Sequence, residues 1–320
     1  MKTIIQILYF TFLAQILLSQ GSFAPAAGQF GSTAIHKDSA IFVAWSDRCT
    51  INRGYQQIND TAMGLAAVGD SSESFGIADG ATVSLGDGGE ATIFLNQSLF
   101  NGPGADFAVF ENGFSSTFLE LAFVEVSSNG IDFFRFPSVS ETQIGTQIGS
   151  FGSLDASEIN NLAGKYHVYY GTPFDLDDLP DTNALNKFAI SHLKIIDVVG
   201  NIAEPFSSRD SRGNVINDPW PTPFGSSGFD LDAVGLIHVN GINSIKEEDI
   251  SLTLFPNPAE NWVTVSTDLR VKYIQLVDVQ GRLYEFQNQN RIDVSNLIPG
   301  VYFVKITTNT HVYVKKLVKK

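Results

Sequence analysis

Residues 101–137 read NGPGADFAVFENGFSSTFLELAFVEVSSNGIDFFRFP. Apolar and other residues alternate in two runs, 107–111 and 120–127, and the spacing of two predicts strands whose side chains point to opposite faces. Ser128-Asn129-Gly130 then supplies the backbone freedom for a tight turn into an aromatic strand over 131–136. Four carboxylates, Asp106, Glu111, Glu120 and Glu125, sit among residues that otherwise read as core. Charge is costly to bury without a partner, so the stretch that sets the fold also poses the functional question.

Upstream, 81–85 and 90–95 flank Gly86-Asp87-Gly88-Gly89, a pattern that predicts a hairpin. It is no phosphate loop, because it lacks the Lys and the following helix. A first strand is expected over 40–44 and a single helical turn within 62–68. Downstream, Asp155 and Glu158 can start a short helix, and strands are expected over 166–170, 190–199 and 229–239. The acidic segment 171–181, GTPFDLDDLPD, lacks the Gly at its sixth position and the closing Glu of a helix-loop-helix calcium site. Strands separated by turns, with almost no long helical period, predict an all-β chain whose larger, N-terminal domain is a β-sandwich of jelly-roll type.

A length of 320 residues suggests two domains. Strand-like runs at 252–255, 262–267, 273–278, 283–286, 302–307 and 312–318, punctuated by Gln280-Gly281 and Pro299-Gly300, predict a second, small Ig-like sandwich. The expected organisation is a signal peptide over 1–24, a cargo domain over 25–240, a polar linker over 241–249 and a C-terminal domain over 250–320. The leader reading rests on Lys2, the apolar run 4–18 and Ser22-Phe23-Ala24, which has small residues where a signal peptidase reads. The alternative, a membrane anchor, needs about 20 apolar residues. No later segment is apolar for long enough to span a bilayer, so the mature chain is expected to be exported without a transmembrane segment.

Cys49 is the single cysteine, so packing or ions rather than an internal disulfide must hold the exported fold. The net charge of −14 is unevenly placed. Residues 250–320 carry 9 Lys and Arg against 5 Asp and Glu, leaving 11 against 29 upstream. That acidic excess repels phosphate backbones and argues against a nucleic-acid partner.

The C-terminal block resembles the type A sorting domain of the type IX secretion system of Bacteroidota. The resemblance is carried by Leu254-Phe255-Pro256-Asn257-Pro258-Ala259, Val277-Asp278-Val279-Gln280-Gly281-Arg282, the run LIPGVYFVK over 297–305 and the basic tail 315–320. It implies an address read by the secretion machinery, which carries cargo across the outer membrane to the cell surface and is removed or exchanged for an anchor. Residues 40–240 resemble a family of exported bacterial cell-surface proteins through GADFAVFENGF, ELAFVEVSSNGIDFFRFP, NNLAGKYHVYYGTPFDL, IIDVVG and INDPWPTPFGSSGFDLDAVGL. That resemblance brings no activity. The association of some relatives with nutrient receptors, those for cobalamin included, implies an accessory role in uptake as one alternative.

Two constellations are candidates for chemistry. Asp230 and Asp232, two apart, face one side of the last cargo strand, and Asp106 and Glu111 flank the strand 107–110. If the chain brings these four together they suit a structural Ca2+, which takes oxygen ligands from carboxylates and carbonyls. The second is the loop 207–228, SSRDSRGNVINDPWPTPFGSSG, long enough to be functional. There Trp220 and Phe224 offer aromatic faces stiffened by prolines, and Arg209, Arg212 and Asp218 offer polar contacts. The competing expectation is that Trp220 folds back as a lid. The five His residues, 36, 167, 192, 238 and 311, lack the spacing of paired metal ligands. The sequence reading is therefore non-catalytic binding or adhesion at the cell surface, with a glycan or another nutrient as ligand. The alternative is an extracellular polysaccharide hydrolase, whose carboxylate pair only geometry can reveal.

Overall fold

The computed structural model describes residues 21–240, 252–267, 271–278, 283–287, 290–308 and 312–320. The apolar run 4–18, the linker 241–249 and the Gln280-Gly281 turn lie outside the described residues. The chain divides into two compact units, Met1–Asn243 and Ser244–Lys320.

The first unit is a sandwich of two antiparallel sheets. One contains β1 (Ile35–His36), β2 (Ala44–Trp45), β4 (Val83–Ser84), β6 (Phe107–Glu111), β11 (Tyr170–Phe174) and β13 (Asp230–Leu236), in the order β1-β11-β6-β13-β2 with β4 also on β13. The other contains β3 (Cys49–Asn52), β5 (Glu90–Leu99), β7 (Ala122–Ser127), β8 (Phe134–Arg135) and β12 (Ile190–Asp197), in the order β3-β5-β12-β7-β8. A separate ribbon pairs β9 (Val139–Ser140) with β10 (Ile159–Asn160). Most successive strands cross from sheet to sheet, the β7–β8 hairpin being an exception, and the orders 2-13-6-11 and 5-12-7-8 are those of two interleaved Greek keys, the jelly roll expected from the sequence. Between the sheets lie Ile93, Phe107, Val109, Val124, Leu193, Ile195, Leu231 and Val234. Each such side chain contributes about 1.5–3 kcal/mol through burial.

The strand pair at the centre, β6 with β13, fixes which carboxylates share a face. An extra residue in β13 between Leu231 and Ala233 shifts the register. As a result Leu231 and Val234 both enter the inner core, whereas Ala233 joins Ala108 and Phe110 under Ile35, Phe42 and Trp45 on the opposite face. Asp230, just before the bulge, and Asp232, the extra residue itself, lie on that opposite face, while Glu111, directly across from Leu231, belongs to the inner one.

Three local expectations are corrected. The runs around Gly86-Asp87-Gly88-Gly89 form no hairpin, because β4 and β5 belong to different sheets and the glycine turn arches between them. Residues 39–42 turn rather than extend, with Phe42 N donating to Ser39 O, so the strand begins at Ala44. The strand expected over 166–170 begins only at Tyr170, after a turn in which Tyr169 is left-handed. Between β7 and β8 the predicted turn is present. There the Asn129 Oδ1 accepts from Ile131 N and Asp132 N, and the Ser127 hydroxyl accepts from Gly130 N.

The second unit has a three-stranded sheet, β14 (Thr253–Phe255), β15 (Trp262–Ser266) and β18 (Arg291–Asp293), in the order 14-15-18. Its four-stranded sheet has β17 (Leu283–Gln287), β16 (Val271–Asp278), β19 (Gly300–Thr308) and β20 (Val312–Lys319) in that order. Leu252, Val263, Val265, Ile274, Leu276, Ile292, Val304, Ile306 and Leu317 form its core. Three strands on four is the predicted Ig-like sandwich, and β18 is the strand that the sequence pattern had not separated.

Candidate functional site

One end of the cargo sandwich collects acidic groups from both sheets. β6 stops there at Glu111, β12 stops at Asp197, and β13 starts at Asp230. The segment ahead of β7 adds Glu120, and the arch and the long loop add Asp87 and Asp218. All six are buried.

The six are not equally satisfied. Asp197 accepts from Gly88 N and Phe229 N, and Asp87 accepts from Ile58 N and the Trp220 indole. Glu111 uses one oxygen on Gly113 N at 2.7 Å, and Asp218 uses one on Leu121 N at 3.2 Å. The remaining oxygens, Glu111 Oε1 and Asp218 Oδ1, and Asp230 Oδ1 with them, make no hydrogen bond with any described residue. Glu120 is 7 % exposed, and its carboxyl accepts no hydrogen bond from any described residue.

Burial drives every carboxyl of this group above its ordinary range, and for Glu111, Glu120, Asp197 and Asp218 the charges of neighbouring acids push further. Asp197 is pushed up to about 8, by burial first and then by the charge of Asp87. Asp230 is raised to about 6 by burial, tempered by Ser84, Asn112 and Arg53. Glu111, Glu120 and Asp218 are pushed well up, Glu120 by burial and then by Glu111, Asp230, Asp218 and Asp197.

Glu120 and Asp230 open onto a cavity of about 340 Å³ whose other walls include Phe114, Phe118, Phe151 and Phe224. The rings form a run: Phe114 stacks on Phe118 at 4.3 Å, Phe118 lies 6.1 Å from Phe151, and Phe151 stacks on Phe224 at 5.8 Å. Phe114 and Phe151 are each 69 % exposed, so the aromatic run lies open at the mouth while the carboxyls lie at its base. Volume and lining fall in the range of small-molecule sites. A larger cavity of about 960 Å³ lies along residues 21–31, where Phe23 N donates to Ser157 O; its acids, Asp155 and Glu158, are not among the six buried at the sandwich end.

Backbone approach positions Glu120. Gly164 is left-handed (φ 78°), and a Cβ there would stand 1.7 Å from the Glu120 carbonyl oxygen. Ala122 and Ala163 exchange backbone hydrogen bonds beside it. Only glycine lets 163–164 lie this close to 120–122.

The residues expected from sequence are divided by the structure. Glu111 and Asp230 are neighbours at the acidic end. Asp106 is not with them: it lies at the other end of β6, about 17 Å away at the usual strand rise. Its Oδ1 accepts from Gly102 N and bonds His238 Nδ1 at 2.7 Å, and its Oδ2 accepts from Leu176 N. Asp232 spends its oxygens on Asp79 N and Gly80 N. The four thus do not converge, and among the described residues no three His, Cys, Asp or Glu side chains surround a common point at metal-ligand distance.

The long loop divides as well. Phe224 reaches the cavity and Asp218 lies behind it, whereas Trp220 folds back with its Nε1 on Asp87 Oδ2 at 3.2 Å, the lid arrangement. Arg209 is held by Glu204 and the Gly213 carbonyl, and Arg212 faces Glu141 at 3.5 Å, so neither lines the cavity. Sequence reasoning had noticed Glu120 only as a misplaced charge, and had not separated Phe114, Phe118 and Phe151 from core phenylalanines.

The fold defines a two-unit all-β protein, a jelly-roll sandwich followed in the chain by a C-terminal Ig-like unit. The family model of the secretion system C-terminal sorting domain matches residues 253–320, so this unit is the type IX sorting domain that its motifs resemble. The protein is accordingly exported and carried to the cell surface by the secretion machinery. Among the described residues no helix is long and apolar enough to cross a membrane. No curated protein matches the chain.

Proposed function

We propose that the cargo domain is a non-catalytic binding module of the cell surface, which takes a glycan unit or another small nutrient into the cavity at Phe114, Phe151 and Phe224. The observation that carries this reading is Glu120: a nearly buried carboxyl without a hydrogen-bonding partner, opening onto an aromatic-walled space of ligand size. A group in that state is costly to the folded protein unless something outside the chain completes it. Titrating the full chain against a glycan and corrinoid panel tests the reading. Binding that weakens by about tenfold in Phe151→Ala and Phe224→Ala supports it, and binding indifferent to both removes the cavity from the function.

A second reading, hydrolysis of an extracellular polysaccharide, is favoured by the presence of two carboxyls, Glu120 and Asp230, on one cavity in different environments. Turnover of any glycan in that panel, abolished in Glu120→Gln or Asp230→Asn, would establish it and displace the non-catalytic reading.

A further inference from the structure

We infer that the cavity at the acidic end selects an organic cation, an ammonium group on an apolar body, with the ammonium against Glu120 and Asp230 and the body along the phenylalanine run. The inference rests on the binding reading of this cavity and names the chemistry of its ligand.

Three observations point to this class. First, the carboxyls at the base are not fully partnered from within. Among the described residues the Glu120 carboxyl and Asp230 Oδ1 have no hydrogen-bonding partner, although the two residues are 7 % and 6 % exposed and line the cavity. Behind them Glu111 Oε1 and Asp218 Oδ1 are likewise unpartnered. The cationic side chain nearest in effect, Arg53, spends its guanidinium on the carbonyls of Val68, Ser84 and Gly69. A ligand that brings positive charge and N–H donors satisfies these oxygens, whereas a neutral hydroxyl supplies donors but no countercharge.

Second, the walls suit an organic body rather than a bare ion. The face of an aromatic ring attracts a cation, and rings also cover alkyl or aryl groups. The four phenylalanines can do both and can coordinate no metal. Third, the space is too large and its acids too dispersed for a metal alone. A water molecule's share of liquid volume is about 30 Å³, against about 340 Å³ here, and no three described acids converge at ligand distance.

The test uses the full chain and two probes of nearly one shape, phenethylammonium and 2-phenylethanol, titrated by ligand-observed NMR. The ammonium is expected to bind at least about tenfold tighter than the alcohol. That preference should vanish in Glu120→Gln and in Asp230→Asn, while Phe151→Ala weakens both probes. Unchanged melting of the amide variants, or a higher midpoint, certifies that they fold. Equal affinity of the two probes, both weakened by Phe151→Ala, overturns charge selection and leaves the binding reading of the cavity standing. Failure of both probes to bind, or binding indifferent to Phe151→Ala, overturns the inference, and the glycan and corrinoid panel then decides the binding reading. Displacement of the ammonium by Ca2+ at lower concentration than the ammonium itself requires also overturns the inference, in favour of a metal.

Discussion

Glu120 is the residue at which stability and use diverge. Its carboxyl is surrounded by four other acids and by rings, and no described group donates to it. Replacing it by an uncharged isostere removes a carboxyl whose ionised form burial and the neighbouring acids penalise. Glu120→Gln is therefore expected to stabilise the cargo domain at pH 8 by on the order of 1–2 kcal/mol, read as a rise of several degrees in Tm. A fall in Tm would mean that the carboxylate is already compensated within the chain. Such gains are typical where a site keeps a locally unfavourable residue for its chemistry. The sequence made part of this visible: an acid inside an alternating apolar run has no reason to be there on packing grounds. It could not say which acids meet. Glu111 and Asp230 are joined by strand pairing across more than a hundred residues, whereas Asp106, five positions from Glu111, is sent to the far end by the strand rise.

At the scale of elements, the jelly roll was legible because alternation and turn residues are local signals. The partners of each strand were not. The glycine turn before β5 looks like a hairpin in sequence, yet it crosses between sheets and thereby delivers Asp87 to the Trp220 indole. Phe114, Phe118 and Phe151 are likewise indistinguishable in sequence from core rings in a chain with 25 phenylalanines, since their exposure is decided by how the loops lie on the paired strands. The contact of 163–164 with 120–122 gives a sharp expectation. Gly164→Ala must open that contact, because the clashing atom is backbone and the φ is left-handed. A loss of about 2–4 kcal/mol is expected, with loss of ligand affinity in whatever fraction stays folded. Wild-type melting in this variant would show that the Glu120 segment is not pinned there.

Over the whole molecule, the raised acids set the pH response. An unfolded Asp titrates near 3.9, whereas folded Asp197 holds its proton to about 8 and Asp230 to about 6. Between these values the native state binds more protons than the unfolded one, so stability falls as pH rises, and the contribution present below about pH 4 is lost by about pH 8. Melting midpoints of the cargo unit should decline from pH 5 to pH 8.5; a flat or rising profile would contradict the raised values. The sorting unit gives a prediction of its own: a chain lacking residues 253–320 should stay inside the outer membrane, while the full chain is reached by protease added to intact cells. Surface display of the truncated chain would deny that unit its role. One contrast along β6 has a dynamic consequence. Asp106 ties its end of the strand with both oxygens bonded, while Glu111, Asp218 and Asp230 leave oxygens bare at the other. Opening of the native state should therefore begin at the acidic end, with the amides of Gly113 and Leu121 exchanging ahead of those of Gly102 and Leu176, and an occupant of the cavity would slow that exchange from the inside.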